Sequence, residues 1–164
     1  MHRLVLRSEL KYVLPYDEII NICFSSARSN KDNNVTGFMV ECGGVFIFSI
    51  EGKPVGLRRI IRNIKNEERH QNIKIIFHNK SASARLFGSW SMNMMFLDDA
   101  LLWQKAIGSC KAYDGFYAKS YDAAFAIGVL ILSYRYACEA SQLSPVPCED
   151  QCGQLPHRGQ ILGA

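Results

Sequence analysis

The tightest constraint on this chain is a pair of apolar runs with only glycine between them: VTGFMVEC at 35–42, then GVFIFSIE at 44–51. Two strand-like runs joined so tightly form an antiparallel hairpin. Side chains alternate along a strand, so Phe46, Phe48 and Ile50 share one face, apolar as far as the Glu51-Gly52 turn. Such a face needs cover. It is either ordinary core or the floor of a cavity for a flat ligand.

The flanking sequence supplies the cover. RLVLRS at 3–8 reads as a first strand with Leu4 and Leu6 on one side. After Pro15, Ile19, Cys23 and Ala27, with Ile20 and Phe24, recur at helical spacing until KDNN interrupts them. Pro54 stands where a first helical turn tolerates proline, and Leu57, Ile60, Ile61 and Ile64 form one stripe behind it. NIKIIFHN predicts a fourth strand and WSMNMMFL a fifth, with Trp90, Met92 and Met94 on one side. The order is that of an α+β, ferredoxin-like βαββαββ unit, a five-stranded mixed sheet with both helices on one face.

The other sheet face also needs cover. DDALLWQKAIGS and SYDAAFAIGVLILSYRYACEA both read as helices, the second apolar around its circumference. The expected organisation is a domain over 1–98, a helical extension over 99–142 packed on the free sheet face, and a disordered tail over 143–164, rich in Pro, Gly and Gln.

With 48% hydrophobic residues the chain fills one sizeable core, and 19 basic against 15 acidic residues give no nucleic-acid signature without clustering. The longest apolar stretch, 123–133, falls short of the ~20 residues a membrane span requires, and the N-terminus lacks a signal peptide's apolar run. These features predict a cytoplasmic protein with reduced cysteines.

Other constellations are weaker. Arg58, Arg59, Arg62 and Lys65, with Arg69, make a basic patch that is a solvated helix face or a contact for a phosphate or acidic partner. Cys148, Cys152 and His157 lack the second cysteine pair of a zinc site, so no metal is expected. Neither His70 nor His78 is accompanied by a paired carboxylate, a serine elbow or a phosphate loop, and no enzyme is predicted.

SSARSNKDNNVTG, GGVFIFSIEG, EERH and FGSWSM fall in one order and at spacings that resemble the BLUF family, flavin-binding blue-light sensor domains, over about residues 3–97. The resemblance implies an FAD whose ring lies between the two helices with its polar edge toward the sheet. Ile22, Ser26, Asn30 and Ile64 match positions beside that ring, Arg69 and His70 in EERH match the end of the second helix, and Trp90 and Met92 match the fifth-strand signature. Taken alone, Asn30 is equally a helix terminator, and residues such as Trp90 and Met92 are more often core than ligand contacts. Asn63 stands where relatives often carry a basic residue.

The family's photochemistry runs through a first-strand tyrosine and a third-strand glutamine. Leu6 and Phe48 occupy those positions. Leucine has no redox-active ring or transferable proton, and phenylalanine has no hydrogen-bonding group. The expectation is a sensory or regulatory domain without conventional light signalling, binding FAD weakly or not at all. It would act through a homo-oligomer or a regulatory protein partner. The alternatives are an FAD-binding photoreceptor or redox sensor using Trp90 as electron donor, and a flavin-dependent reductase.

Overall fold

The computed structural model describes residues 1–98, 100–109, 111, 114–140 and 161–162. The elements are β1 (His2–Leu10), α1 (Tyr16–Asp32), β2 (Thr36–Cys42), β3 (Val45–Gly52), α2 (Pro54–Lys65), β4 (His70–Asn79) and β5 (Met94–Phe96), then α3 (Ala100–Ile107), α4 (Phe116–Lys119), α5 (Ala123–Ala140) and β6 (Ile161–Leu162). The sheet order is β4-β1-β3-β2-β5-β6. β1 to β4 form the antiparallel ferredoxin-like set, and β5 joins β2 in parallel, which makes the sheet mixed.

The hairpin forms where the sequence places it. Cys42 pairs with Val45, leaving Gly43 and Gly44 as a two-residue loop, both with positive φ (57° and 83°). That geometry matches the strands' right-handed twist and favours glycine at both positions. Every residue of β2 and β3 is buried, because these strands are central and covered on both faces.

One core lies between the sheet and α1 and α2, built on Leu4, Leu6, Phe46, Phe48, Ile50, Ile20 and Ile60. The second lies between the opposite face and the C-terminal helices, where Val5, Phe38, Val40 and Ile47 meet Ala126, Val129, Leu130 and Ala137 of α5. α5 is long and apolar enough by length and composition to cross a membrane, yet here one side of it packs on the sheet. Trp103 of α3 is fully buried and its Nε1 donates to the Leu97 carbonyl at 2.7 Å, which fixes α3 to the end of β5.

Three features differ from the sequence reading. β5 is only three residues long, and residues 90–93 are not a regular strand, so Trp90 and Met92 do not share a face. Irregular backbone bonds account for this: Trp90 and Asn93 carbonyls accept from Gly37 and Met39 of β2 without a continuous ladder. The short α4 is additional, as is β6, which pairs antiparallel with Met94 and Met95 and satisfies an otherwise open strand edge. The rest of the segment expected to be disordered, 143–160 and 163–164, lies outside the described residues.

Candidate functional site

Three periodicities meet between α1, α2 and β3. On α1, Ile22, Ser25, Ser26, Ser29 and Asn30 follow the i, i+3, i+4, i+7, i+8 spacing of one helix face. On the α2 side, Ile60, Asn63, Ile64 and Glu67 do the same across the helix and the turn after it, and on β3 Phe46, Phe48 and Ile50 alternate. Together with Ser8, Met39, His70 and Met92 they line a cavity of about 270 Å³ that is open to one side.

Its floor is hydrocarbon. Phe48 is 6% exposed, and Leu6, fully buried, faces it directly across the β1–β3 ladder. Met39 flanks Phe48 on β2, and Met94 of β5 continues the same row. No side chain in this row offers a hydrogen-bond donor, and the only heteroatoms are thioether sulfurs.

Polar groups stand at the two ends. At one, Asn30 is 1% exposed, its Nδ2 donates to the Ser91 carbonyl at 2.6 Å, and its own carbonyl accepts from Asn33 and Val35. Asn30 therefore both ends the helix and lines the cavity. Asn63 Nδ2 donates to Ser29 Oγ at 3.1 Å, tying α2 to α1 at the rim. Gly56 permits that close approach, because a Cβ there would lie 2.4 Å from the Asn33 carbonyl oxygen.

At the other end, Ser8 Oγ and His70 Nδ1 share a hydrogen bond at 2.9 Å, and the His70 ring stands edge-on to Phe46. Burial lowers the His70 pKa to about 4, so the ring is neutral at physiological pH. Glu67 accepts a bidentate pair from Arg69, Nε at 2.7 Å and Nη2 at 2.8 Å, and that bonding holds its carboxyl down at about 2 despite partial burial.

Not every expected residue reaches the cavity. Trp90 is corrected: it packs in the opposite core, stacked on Phe38 at 6.0 Å and edge-on to Tyr134 at 5.2 Å. Arg69 is occupied by Glu67 and is not part of the lining, and Leu6 lies beside Phe48 below it. His70 begins β4 instead of ending a helix, since α2 stops at Lys65. His78 is exposed and contacts His2 at 3.1 Å, outside the cavity. Arg58, Arg59, Arg62 and Lys65 are exposed on α2. Cys148, Cys152 and His157 lie outside the described residues; among those described, no group of three or more metal-ligating side chains gathers.

Ser8, Ser25, Ser29, Met39 and Glu67 were missed in the sequence reading. The α1 serines carried a usable signal, because they lie at helical spacing from Ile22 and Asn30.

The apolar walls suit a flat ring such as that of a flavin. The floor does not suit its polar edge: the sheet presents Phe48 and Met39 there, and Asn30 has already given one amide proton to Ser91.

The opposite face holds a buried charge. Arg7 is fully buried, donates from Nε to Ser120 Oγ at 2.6 Å and from Nη1 to Glu9, and stacks on the rings of Tyr121 (3.9 Å) and Tyr117 (4.8 Å). Burial acts to raise the Glu9 carboxyl, but hydrogen bonds from Asn72 and Arg7 outweigh it and hold it at about 2. β1 therefore borders the cavity with Ser8 and grips α4 with Arg7.

Solved structures share this fold. A bacterial light-regulated adenylyl cyclase matches with TM-score 0.62 at 24% identity, over 71% of this chain and 35% of that one. BlsA in its photo-activated state matches with TM-score 0.65 at 19% identity, over 80% and 94%, and the BLUF protein BlrB in its dark state with 0.58 at 24%, over 77% and 94%. This chain thus spans about a third of the cyclase but nearly the full length of the two short proteins. No curated protein matches it. The family model for BLUF, sensors of blue-light using FAD, matches residues 1–93, more than half of the chain. The chain belongs to the BLUF family.

Proposed function

We propose that this is a BLUF-family regulatory domain in which conventional blue-light signalling is lost and FAD binds weakly or not at all. The observation that carries this is the Leu6–Phe48 pair, buried and in register where the resemblance places the tyrosine and glutamine. Neither side chain donates or accepts a proton, so no proton relay runs along this row. Unmade hydrogen bonds to a buried polar edge cost on the order of 1–3 kcal/mol each, and two of them weaken binding by about two to four decades.

The domain acts through protein–protein assembly, as a homo-oligomer or with a regulatory partner, in the cytoplasm. The side of α5 away from the core supports this: Ile131 and Leu132 are only half-buried and belong to neither core. The altered-photochemistry alternative needs an electron donor at the ring, and Trp90 lies across the sheet from the cavity, which leaves that reading without support.

The test is the visible absorption spectrum of the purified protein, before and after FAD is added and illuminated. A colourless protein that takes up little FAD agrees with the proposal. Tight FAD with a reversible light-induced shift overturns it.

A further inference from the structure

We infer that the cavity between α1 and α2 binds a small neutral aromatic molecule of one or two fused rings, hydrogen-bonded through one polar atom to the Ser8–His70 pair. This rests on the reading that Leu6 and Phe48 end the flavin's role.

Size sets the number of rings. An apolar cavity of about 150 Å³ accommodates benzene. The roughly 270 Å³ here leaves room for a bicyclic ring. The walls agree, since Ile22 from α1 and Ile60 and Ile64 from α2 face a floor of Phe46 and Phe48. These surfaces favour a flat apolar body.

Charge excludes an ionic ligand body. Among the described lining residues Glu67 is the one ionised side chain, and Arg69 already neutralises it. Among the described residues the lining holds no lysine or arginine to meet a phosphate or carboxylate.

The position of the polar atom follows from His70. Its Nδ1 is bonded to Ser8, and its second ring nitrogen has no protein partner among the described residues. A neutral imidazole offers that nitrogen as donor or acceptor according to tautomer, so a ligand hydroxyl or carbonyl satisfies it.

The test uses the full chain with 2-naphthol as the hydroxylated probe, naphthalene as its hydrocarbon match and FAD in parallel, each followed by fluorescence and by amide NMR shifts. Saturable 2-naphthol binding is expected, with shifts at Ser26, Ile64 and His70. Ile64→Trp, at a half-buried position that tolerates a larger ring, should abolish binding of both bicyclic probes by filling the cavity. His70→Leu should weaken 2-naphthol about tenfold, the loss of one hydrogen bond, and leave naphthalene unchanged. If neither FAD nor 2-naphthol binds, or if 2-naphthol binding survives Ile64→Trp, the inference falls and the functional proposal stands. If FAD binds more tightly than 2-naphthol, both fall.

Discussion

Leu6 and Phe48 are direct partners across the β1–β3 ladder, and neither is more than 6% exposed. Changing one therefore alters the packing of the other, and the pair should be treated as a unit. Phe48→Gln alone places an amide on a hydrocarbon floor and removes ring volume, for an expected loss of about 2–4 kcal/mol of stability. Leu6→Tyr with Phe48→Gln should instead raise FAD affinity by about 10²–10⁴-fold, since both unmade hydrogen bonds return. Titration of FAD against both variants, with urea denaturation of each, checks the two halves.

The buried Arg7 predicts an asymmetry between its partners. Glu9→Ala leaves a fully desolvated guanidinium without its carboxylate, and the expected cost is about 3–5 kcal/mol. Arg7→Met with Glu9→Leu removes both charges and should cost far less than that single change. A double-mutant cycle by urea denaturation measures the difference, and equal losses would contradict the account.

Much of this was legible in the sequence, for reasons that differ by element. The hairpin was legible because Gly-Gly between alternating runs specifies both turn and register. The two α1–α2 apolar stripes follow the helical period, and the strand order follows from them. Trp90 was not legible, because parity arguments hold only inside a strand and the ladder begins four residues later at Met94. The Ser8–His70 bond joins residues 62 apart, which no local pattern reveals. Arg7 and Glu9 share a strand face two residues apart, a signal of pairing, but burial of that face depended on α4, which the sequence did not show.

His70 makes stability sensitive to mild acid. Burial lowers its pKa from 6.5 to about 4, so the folded state favours the neutral ring, and this contribution is complete above about pH 6.5. As pH falls toward 4 it is lost, by about 3 kcal/mol. The Glu9 carboxyl, lowered from 4.5 to about 2, gives a separate loss between those values. His70→Gln should flatten the urea-denaturation midpoint between pH 6.5 and 4 while leaving the decline below pH 4.5. A variant that kept the upper slope would assign it to another group.

Gly56 gives the last prediction, in which two effects of opposite sign compete. Alanine is worth up to about 1 kcal/mol over glycine within a helix, so propensity alone predicts some stabilisation by Gly56→Ala in the first turn of α2. The added Cβ, however, would meet the Asn33 carbonyl oxygen at 2.4 Å and the Val35 side chain at 3.2 Å. The first neighbour is backbone at the end of α1, and its peptide unit is held by the Asn34 N–H, which donates to the Lys31 carbonyl, so it cannot rotate away. Relief requires α2 to move off α1, costing about 1–3 kcal/mol, and the net effect is destabilisation. The same movement separates Asn63 from Ser29 and widens the cavity mouth, so thermal denaturation should show a lower Tm and amide shifts should appear at Ser29, Asn30 and Asn63. A raised Tm with those shifts unchanged would show that α1 and α2 are not held together through this contact.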